Sequence, residues 1–192
     1  MIDKTVILEN FLNDEYEQIF CEQCMTTFLT NVYAYDENHV LLEKRSLGLE
    51  YFCNAIQHYS LSNIPIISRI AVLKEDNQIV DISPEKELFK HEETEYRYLY
   101  LMEKLIHLEK DEAHFFAQNT QDLEHFPQKN KQAAFDNIKQ RYGKSLVSDI
   151  INLCAYFRKH EAFIAWDLHA DNLMKREKTG EIVILDPYAV KI

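Results

Sequence analysis

Three side chains near the end of the chain have the types and spacing to hold a divalent cation and to accept a proton. They lie in Ala165-Trp-Asp-Leu-His-Ala-Asp-Asn-Leu-Met174 and in Gly180-Glu-Ile-Val-Ile-Leu-Asp-Pro187. Asp167 and Asn172 are five positions apart, and Asp186 follows Asp167 by nineteen. A tight loop that ends in Asn can hold a carboxylate and an amide oxygen close together. A strand and turn can then bring a second carboxylate beside them. Hard oxygens of this kind suit Mg²⁺, and a carboxylate next to a hydroxyl can take its proton. Together they meet what phosphoryl transfer from a nucleotide requires. Taken singly, Asp and Asn are ordinary turn residues; the joint spacing and its framing by elements single them out.

Those framing elements can be read from periodicity. The stretch from Ser145 to His160, with Leu146, Ile150, Ile151, Leu153, Cys154 and Phe157, predicts a buried helix before the loop. Ile182-Val-Ile-Leu185 predicts a short strand that ends at Asp186. Upstream, Asn31-Val-Tyr-Ala-Tyr35 and His39-Val-Leu-Leu-Glu-Lys44 flank Asp36-Glu-Asn38 as a hairpin. From Leu47 to Tyr59 the period changes to a helical one, with Phe52, Ala55, Ile56 and Tyr59 on one face and Ser46 as a cap. After Pro65, the runs Ile66 to Leu73 and Gln78 to Ile82 flank Lys74-Glu-Asp-Asn77 as a second hairpin. Pro84 to Glu95 is charged, and Tyr96 to Met102 is a further strand. Asp111 to His125 and Lys131 to Tyr142 read as surface helices or loops. Residues 1–20 carry only a weak signal for a short helix or first strand. The fold class expected is α+β: a strand-rich first half with one main helix, then a mainly helical second half.

Composition narrows the functions open to such a chain. Its 192 residues, 46% hydrophobic and 12% aromatic, suffice for one domain or two small lobes around a cleft. Asp plus Glu number 32 against 21 Lys plus Arg, a formal charge of −11, which opposes general nucleic-acid binding. No run approaches the roughly 20 apolar residues of a membrane span, and the start is too short and charged for a secretory signal. A cytoplasmic protein is expected, with delivery as an effector as the alternative. Cys21, Cys24, Cys53 and Cys154 form no disulfide framework. Cys21-Glu-Gln-Cys24 lacks the second ligand pair of a structural zinc site and reads as small buried residues.

The string Asp167-Leu-His-Ala-Asp-Asn172 resembles the D-x-x-x-x-N catalytic loop of the protein-kinase-like superfamily. Its wording is closer to the D-L-H-x-x-N of aminoglycoside and choline phosphotransferases. Leu185-Asp186-Pro187 stands where that superfamily has D-F-G. The resemblance implies a two-lobed kinase-like fold, with an antiparallel-sheet N-lobe over residues 1–102 and a minimal C-lobe over 103–192. It implies ATP and Mg²⁺ as cofactors, Asp167 as catalytic base, and Asn172 and Asp186 as metal ligands. By the same resemblance Lys44 reaches the phosphates, with Glu43 in the neighbouring place, and Glu50 pairs with the lysine. The stretch from Tyr98 to Leu105 resembles the hinge, with Met102 and Glu103 at the adenine and Leu101 or Met102 near the gatekeeper position. His169 braces the loop and Asp171 is exposed.

The chain also departs from the superfamily pattern. Met25-Thr-Thr-Phe-Leu-Thr-Asn-Val-Tyr33 has no glycine where a Gly-rich phosphate loop is expected, leaving Thr26, Thr27 and Thr30 to substitute. Ala165 stands where many members have His. The sequence stops six residues after Asp186, where kinases continue into substrate-binding helices. The reading that follows is a minimal ATP- and Mg²⁺-dependent phosphotransferase acting on a protein hydroxyl. The alternative is a non-catalytic pseudokinase or nucleotide-binding module that acts by binding a partner protein. A partner, or self-association, would complete the C-lobe. A small-molecule kinase ranks third.

Overall fold

The computed structural model of the chain describes residues 3–19, 30–80, 96–125 and 128–191. Cys21, Cys24, residues 25–29 of the expected phosphate loop, the end of the second hairpin and the charged stretch 84–95 lie outside the described residues. Two compact units form, Met1–Leu47 with Ile66–Lys104, and Gly48–Pro65 with Leu105–Ile192. The architecture is mixed α+β with antiparallel sheets, as the periodicities imply.

The first unit is a four-stranded antiparallel sheet covered by one helix. Strands β1 (Thr30–Ala34), β2 (His39–Lys44), β3 (Ile67–Lys74) and β4 (Tyr96–Glu103) lie in the order β1-β2-β4-β3. Helix α1 (Lys4–Leu12) resolves the weak signal of the first twenty residues. It starts at Asp3, whose carboxylate accepts the Thr5 N–H at 3.0 Å and so satisfies a donor left over at the helix start. Ile7 of α1 is buried with Leu41, Leu99 and Leu101, the apolar positions of one sheet face. The Lys74–Asn77 turn is present, but the return strand makes one bridge, Leu73 to Ile79, before the described residues stop.

Strand alternation separates two neighbours that the sequence left ambiguous. Glu43 pairs with Asn31 and Leu99, and so shares the face of Leu41, while Lys44 pairs with Thr30 and Tyr98 on the opposite face. Glu43 is buried, and burial alone would raise its pKa. Hydrogen bonds from Asn31 Nδ2 (2.7 Å), Arg97 (2.6 Å) and the Tyr33 hydroxyl (3.1 Å) outweigh this and hold the carboxyl below its ordinary value. Burial and the adjacent Glu43 carboxylate push Tyr33 up to about 12.

The second unit packs α2 (Gly48–His58), α3 (Lys110–Thr120), α4 (Gln128–Tyr142) and α5 (Lys144–His160) with five short strands. These are β5 (Ile106–His107), β6 (Ile164–Trp166), β7 (Leu173–Lys175), β8 (Ile182–Ile184) and β9 (Tyr188–Val190). They pair as β5-β7-β8 and as β6-β9. The stretches read as surface helices or loops are α3 and α4, anchored by the buried Phe116, Ala134 and Ile138. On α5, Leu146, Ile150, Leu153 and Tyr156 are buried, whereas Ile151 turns outward. Cys154 lies on the same helix, and burial pushes its thiol up to about 12, so it is no nucleophile at neutral pH. Among the described residues no helix is long and apolar enough to cross a membrane.

A buried polar knot holds the α2–β3 connection to α5 and β8. The Asp149 carboxylate accepts the N–H groups of Ser62 (2.9 Å) and Asn63 (2.6 Å). Asn63 Nδ2 donates to Ile182 O at 3.0 Å, and its Oδ1 accepts from the Ser145 hydroxyl at 2.9 Å. Its carbonyl accepts the Ile184 N–H at 2.8 Å. Every polar group of Asn63 is thereby matched inside the protein.

Two outcomes follow from these packed polar groups. Asp149→Ala leaves the buried Asn63 N–H and the part-buried Ser62 N–H without their acceptor and should cost about 1–3 kcal/mol, read as a lower urea midpoint. Glu43 has a folded pKa below the unfolded value of about 4.3. Its contribution to stability is therefore complete above that pH and is lost as pH falls through the folded value. Glu43→Gln should flatten this acid limb in a urea-midpoint against pH series; an unchanged limb would assign it to other groups.

Candidate functional site

Four three-residue strands bring the terminal carboxylates and the asparagine together. Strand β6 pairs with β9, Trp166 opposite Tyr188, and Asp167 follows directly. Strand β7 pairs with β8, Leu173 opposite Ile184, and Asn172 comes immediately before. The link from β8 to β9 is Leu185-Asp186-Pro187, and the main chain ties it on both sides. Asp167 N–H donates to Pro187 O at 2.8 Å, and Leu185 N–H donates to Asn172 O at 3.0 Å. Asp186 is thus held between the residue that begins the loop and the residue that ends it.

The loop is organised from within. Residues Ala170–Asn172 form one turn of 3₁₀ helix, capped by His169, whose Nδ1 accepts the Asp171 N–H at 3.3 Å. Asn172 Nδ2 lies 2.7 Å from Asp167 O and 3.3 Å from Asp167 Oδ2. Both are acceptors, so the nitrogen of the amide must face Asp167. The planar amide then turns Oδ1 of Asn172 away from Asp167. His169 Nε2 lies 3.1 Å from that nitrogen and 3.8 Å from Asp167 Oδ1, the bracing position expected for it. The Asp171 side chain is 92% exposed, as expected, and that of Asp167 43%.

The donor set fits a small hard cation. Asp186 has carboxylate oxygens to offer, and Asn172 an Oδ1 on the side of its amide opposite the nitrogen that meets Asp167. Mg²⁺ takes few protein ligands and completes its shell with water and phosphate oxygens. Among the described residues no group of three or more His, Cys, Asp or Glu side chains is placed to hold a metal ion.

A cavity of about 530 Å³ adjoins Asp167 within the same unit. Its walls are Ala113 and Ala117 of α3, the Asp122 turn, and the loop with Asp167, His169 and Asp171. Among the described residues three carboxylates line it and no Lys or Arg does. The alanines on α3 keep the wall low. Trp166 backs the cavity, its indole N–H directed at Thr120 O (3.4 Å).

The remaining expected residues take positions in separate elements. Lys44 ends β2 in the first unit, half-buried, while Glu50 is buried on α2 in the second. Met102 is buried near the end of β4, opposite Val40 and Ile67. Glu103 N–H donates to Ile66 O at 2.9 Å and its carboxylate accepts the Ile66 N–H at 2.8 Å. Lys104 N–H donates to Asn38 O at 2.6 Å. The main-chain donors of Glu103 and Lys104 are therefore spent within the first unit.

Sequence reasoning missed Tyr188 and Gly48. Tyr188 is buried, its hydroxyl donating to Leu153 O at 2.9 Å, and it anchors β9 behind Asp186. Gly48 lies under the same segment: a Cβ there would stand 2.2 Å from Tyr188 O. An isolated glycine at the start of an otherwise apolar helical pattern was the available signal.

No protein-family model matches the sequence, and no curated protein does. Among solved structures the chain is similar to the aminoglycoside phosphotransferase APH(2")-IIa in its ternary complex with streptomycin and ATP. The identity is 11%, the alignment covers 100% of this chain and 75% of that one, and the TM-score is 0.34. A likeness this loose assigns no activity, and the site has to be judged on its own geometry.

Proposed function

We propose that the chain is an ATP- and Mg²⁺-dependent phosphotransferase of kinase-like type that modifies a protein hydroxyl. The observation that carries this reading is the double tie of the Asp186 link, to Asp167 through Pro187 and to Asn172 through Leu185. It brings Asp167, Asn172 and Asp186 together from three separate positions in the chain, which supports reading them as a proton acceptor and two oxygen ligands.

Asp167 orients the acceptor hydroxyl and receives its proton as the oxygen attacks the γ-phosphorus. The bond from that phosphorus to the β–γ bridging oxygen breaks, and ADP leaves. Asn172 and Asp186 would hold Mg²⁺, which would offset the negative charge of the phosphates. Asn172 would do double duty, its nitrogen steadying Asp167 and its oxygen serving as a ligand. Lys44 is assigned to the phosphates, with Glu50 as its partner, and Met102 and Glu103 to the adenine. The cavity beside Asp167 supports an acceptor that approaches over α3, and its carboxylate lining favours a hydroxyl flanked by cationic groups.

Two measurements test this. Purified protein with ATP and Mg²⁺ should transfer phosphate to itself or to a serine peptide. Asp167→Ala should lower the rate about 10²–10⁴-fold, and Asp186→Asn should abolish it; activity surviving in Asp186→Asn would place the metal elsewhere. For the acceptor, Asp122→Lys with Asp171→Lys should raise the KM for a lysine-flanked peptide roughly tenfold, leaving the KM for ATP unchanged. Transfer to an aminoglycoside but to no peptide would turn the reading to small molecules. Nucleotide binding with no transfer at all would leave a nucleotide-binding module.

A further inference from the structure

Gly48 opens α2, yet a helix start does not ask for glycine there. Residues with a side-chain acceptor serve a helix N-terminus better, and glycine within a helix is worse than alanine. The other two glycines have a conformational reason, with φ of 92° at Gly143 and 68° at Gly180 and open space around both. Gly48 is the reverse case, with no left-handed backbone and a wall in front of it. A Cβ at this position would stand 2.2 Å from the Tyr188 carbonyl oxygen and 3.3 Å from Asp186 Oδ1.

The nearer atom belongs to the main chain, so it cannot rotate aside as a side chain would. Nor can Tyr188 retreat easily. Its ring is buried, its hydroxyl is bonded to Leu153 O, and its strand is paired to β6 at Ala165 and Trp166. A methyl group at position 48 must therefore push either α2 or the link that carries Asp186.

We propose that Gly48 is a positioning residue for the metal site, its bare Cα being the seat on which Asp186–Tyr188 rests. The first turn of α2 thereby sets the aim of the Asp186 carboxylate. Movement of that turn changes the hold on Mg²⁺ without altering a ligand. This rests on Asp186 being a metal ligand.

The test is the Mg²⁺ dependence of nucleotide affinity, measured by calorimetry with a non-hydrolysable ATP analogue. Wild-type protein should bind the analogue roughly tenfold tighter with Mg²⁺, on the order of one ionic ligand. Gly48→Ala should lose most of that enhancement, as Asp186→Asn does, while keeping the metal-free affinity. Gly180→Ala, strained but remote, should be less stable and keep the enhancement. Full enhancement in Gly48→Ala beside a normal wild type overturns the role of Gly48 alone. No enhancement in wild type overturns the metal reading and this inference with it. A wild-type measurement covers the case in which Gly48→Ala fails to fold. Mg²⁺ added to the nucleotide complex should slow amide exchange over residues 48–52 together with 184–190, and an unaffected α2 start refutes the coupling.

Discussion

Two main-chain hydrogen bonds, Asp167 N–H to Pro187 O and Leu185 N–H to Asn172 O, carry the arrangement on which the rest of the second unit converges. Two carboxylates drawn together repel, and loops left alone would let them part. The bonds act on backbone atoms next to the charged residues, so the site needs no attraction between the functional side chains themselves. Each bond is worth only about 1 kcal/mol. Their strength lies in extending two antiparallel pairings, β6 with β9 and β7 with β8, that are already anchored by buried Trp166, Tyr188, Leu173 and Ile184.

Behind that frame stands a layer of satisfied polar groups rather than a purely apolar core. The Tyr188 hydroxyl reaches Leu153 O, and the Tyr156 hydroxyl reaches Asn54 Oδ1 at 2.6 Å. Tyr156 and Tyr188 lie with ring centroids 5.7 Å apart, tying α5 and α2 to the strand behind Asp186. Burial drives both phenols to higher pKa, so they stay neutral donors. Directional bonds of this kind specify one packing where an apolar contact would tolerate several.

The loop with Asp167 and Asn172 was legible because residue types at fixed spacing survive without any knowledge of packing. Helix α5 was legible because seventeen residues give a period time to show. Strands β6, β7 and β9 were not, since three residues carry no period, and their identity comes only from pairing with distant partners. The expected strand at Ile182 was apolar throughout and so stood out alone. Glu43 and Lys44 show a different limit: alternation says that they face opposite ways, but only the covering helix says which face is which. Asp149 and Asn63 look like surface residues in the sequence, and their burial follows from meeting each other across 86 positions.

The saturation of Asn63 bears on how this chain can vary in length. A residue whose backbone N–H and C=O and both side-chain polar atoms are each engaged cannot be shifted along the backbone by one place without breaking several bonds together. The connection between α2 and β3 is therefore intolerant of insertion, although it is a loop. Gly180 sits in the β7–β8 turn with nothing within 4 Å of where a side chain would start. Loop closure there grows only slowly more costly with each added residue. Natural length variants, grafted peptides or fluorescent tags belong at that turn and not between α2 and β3.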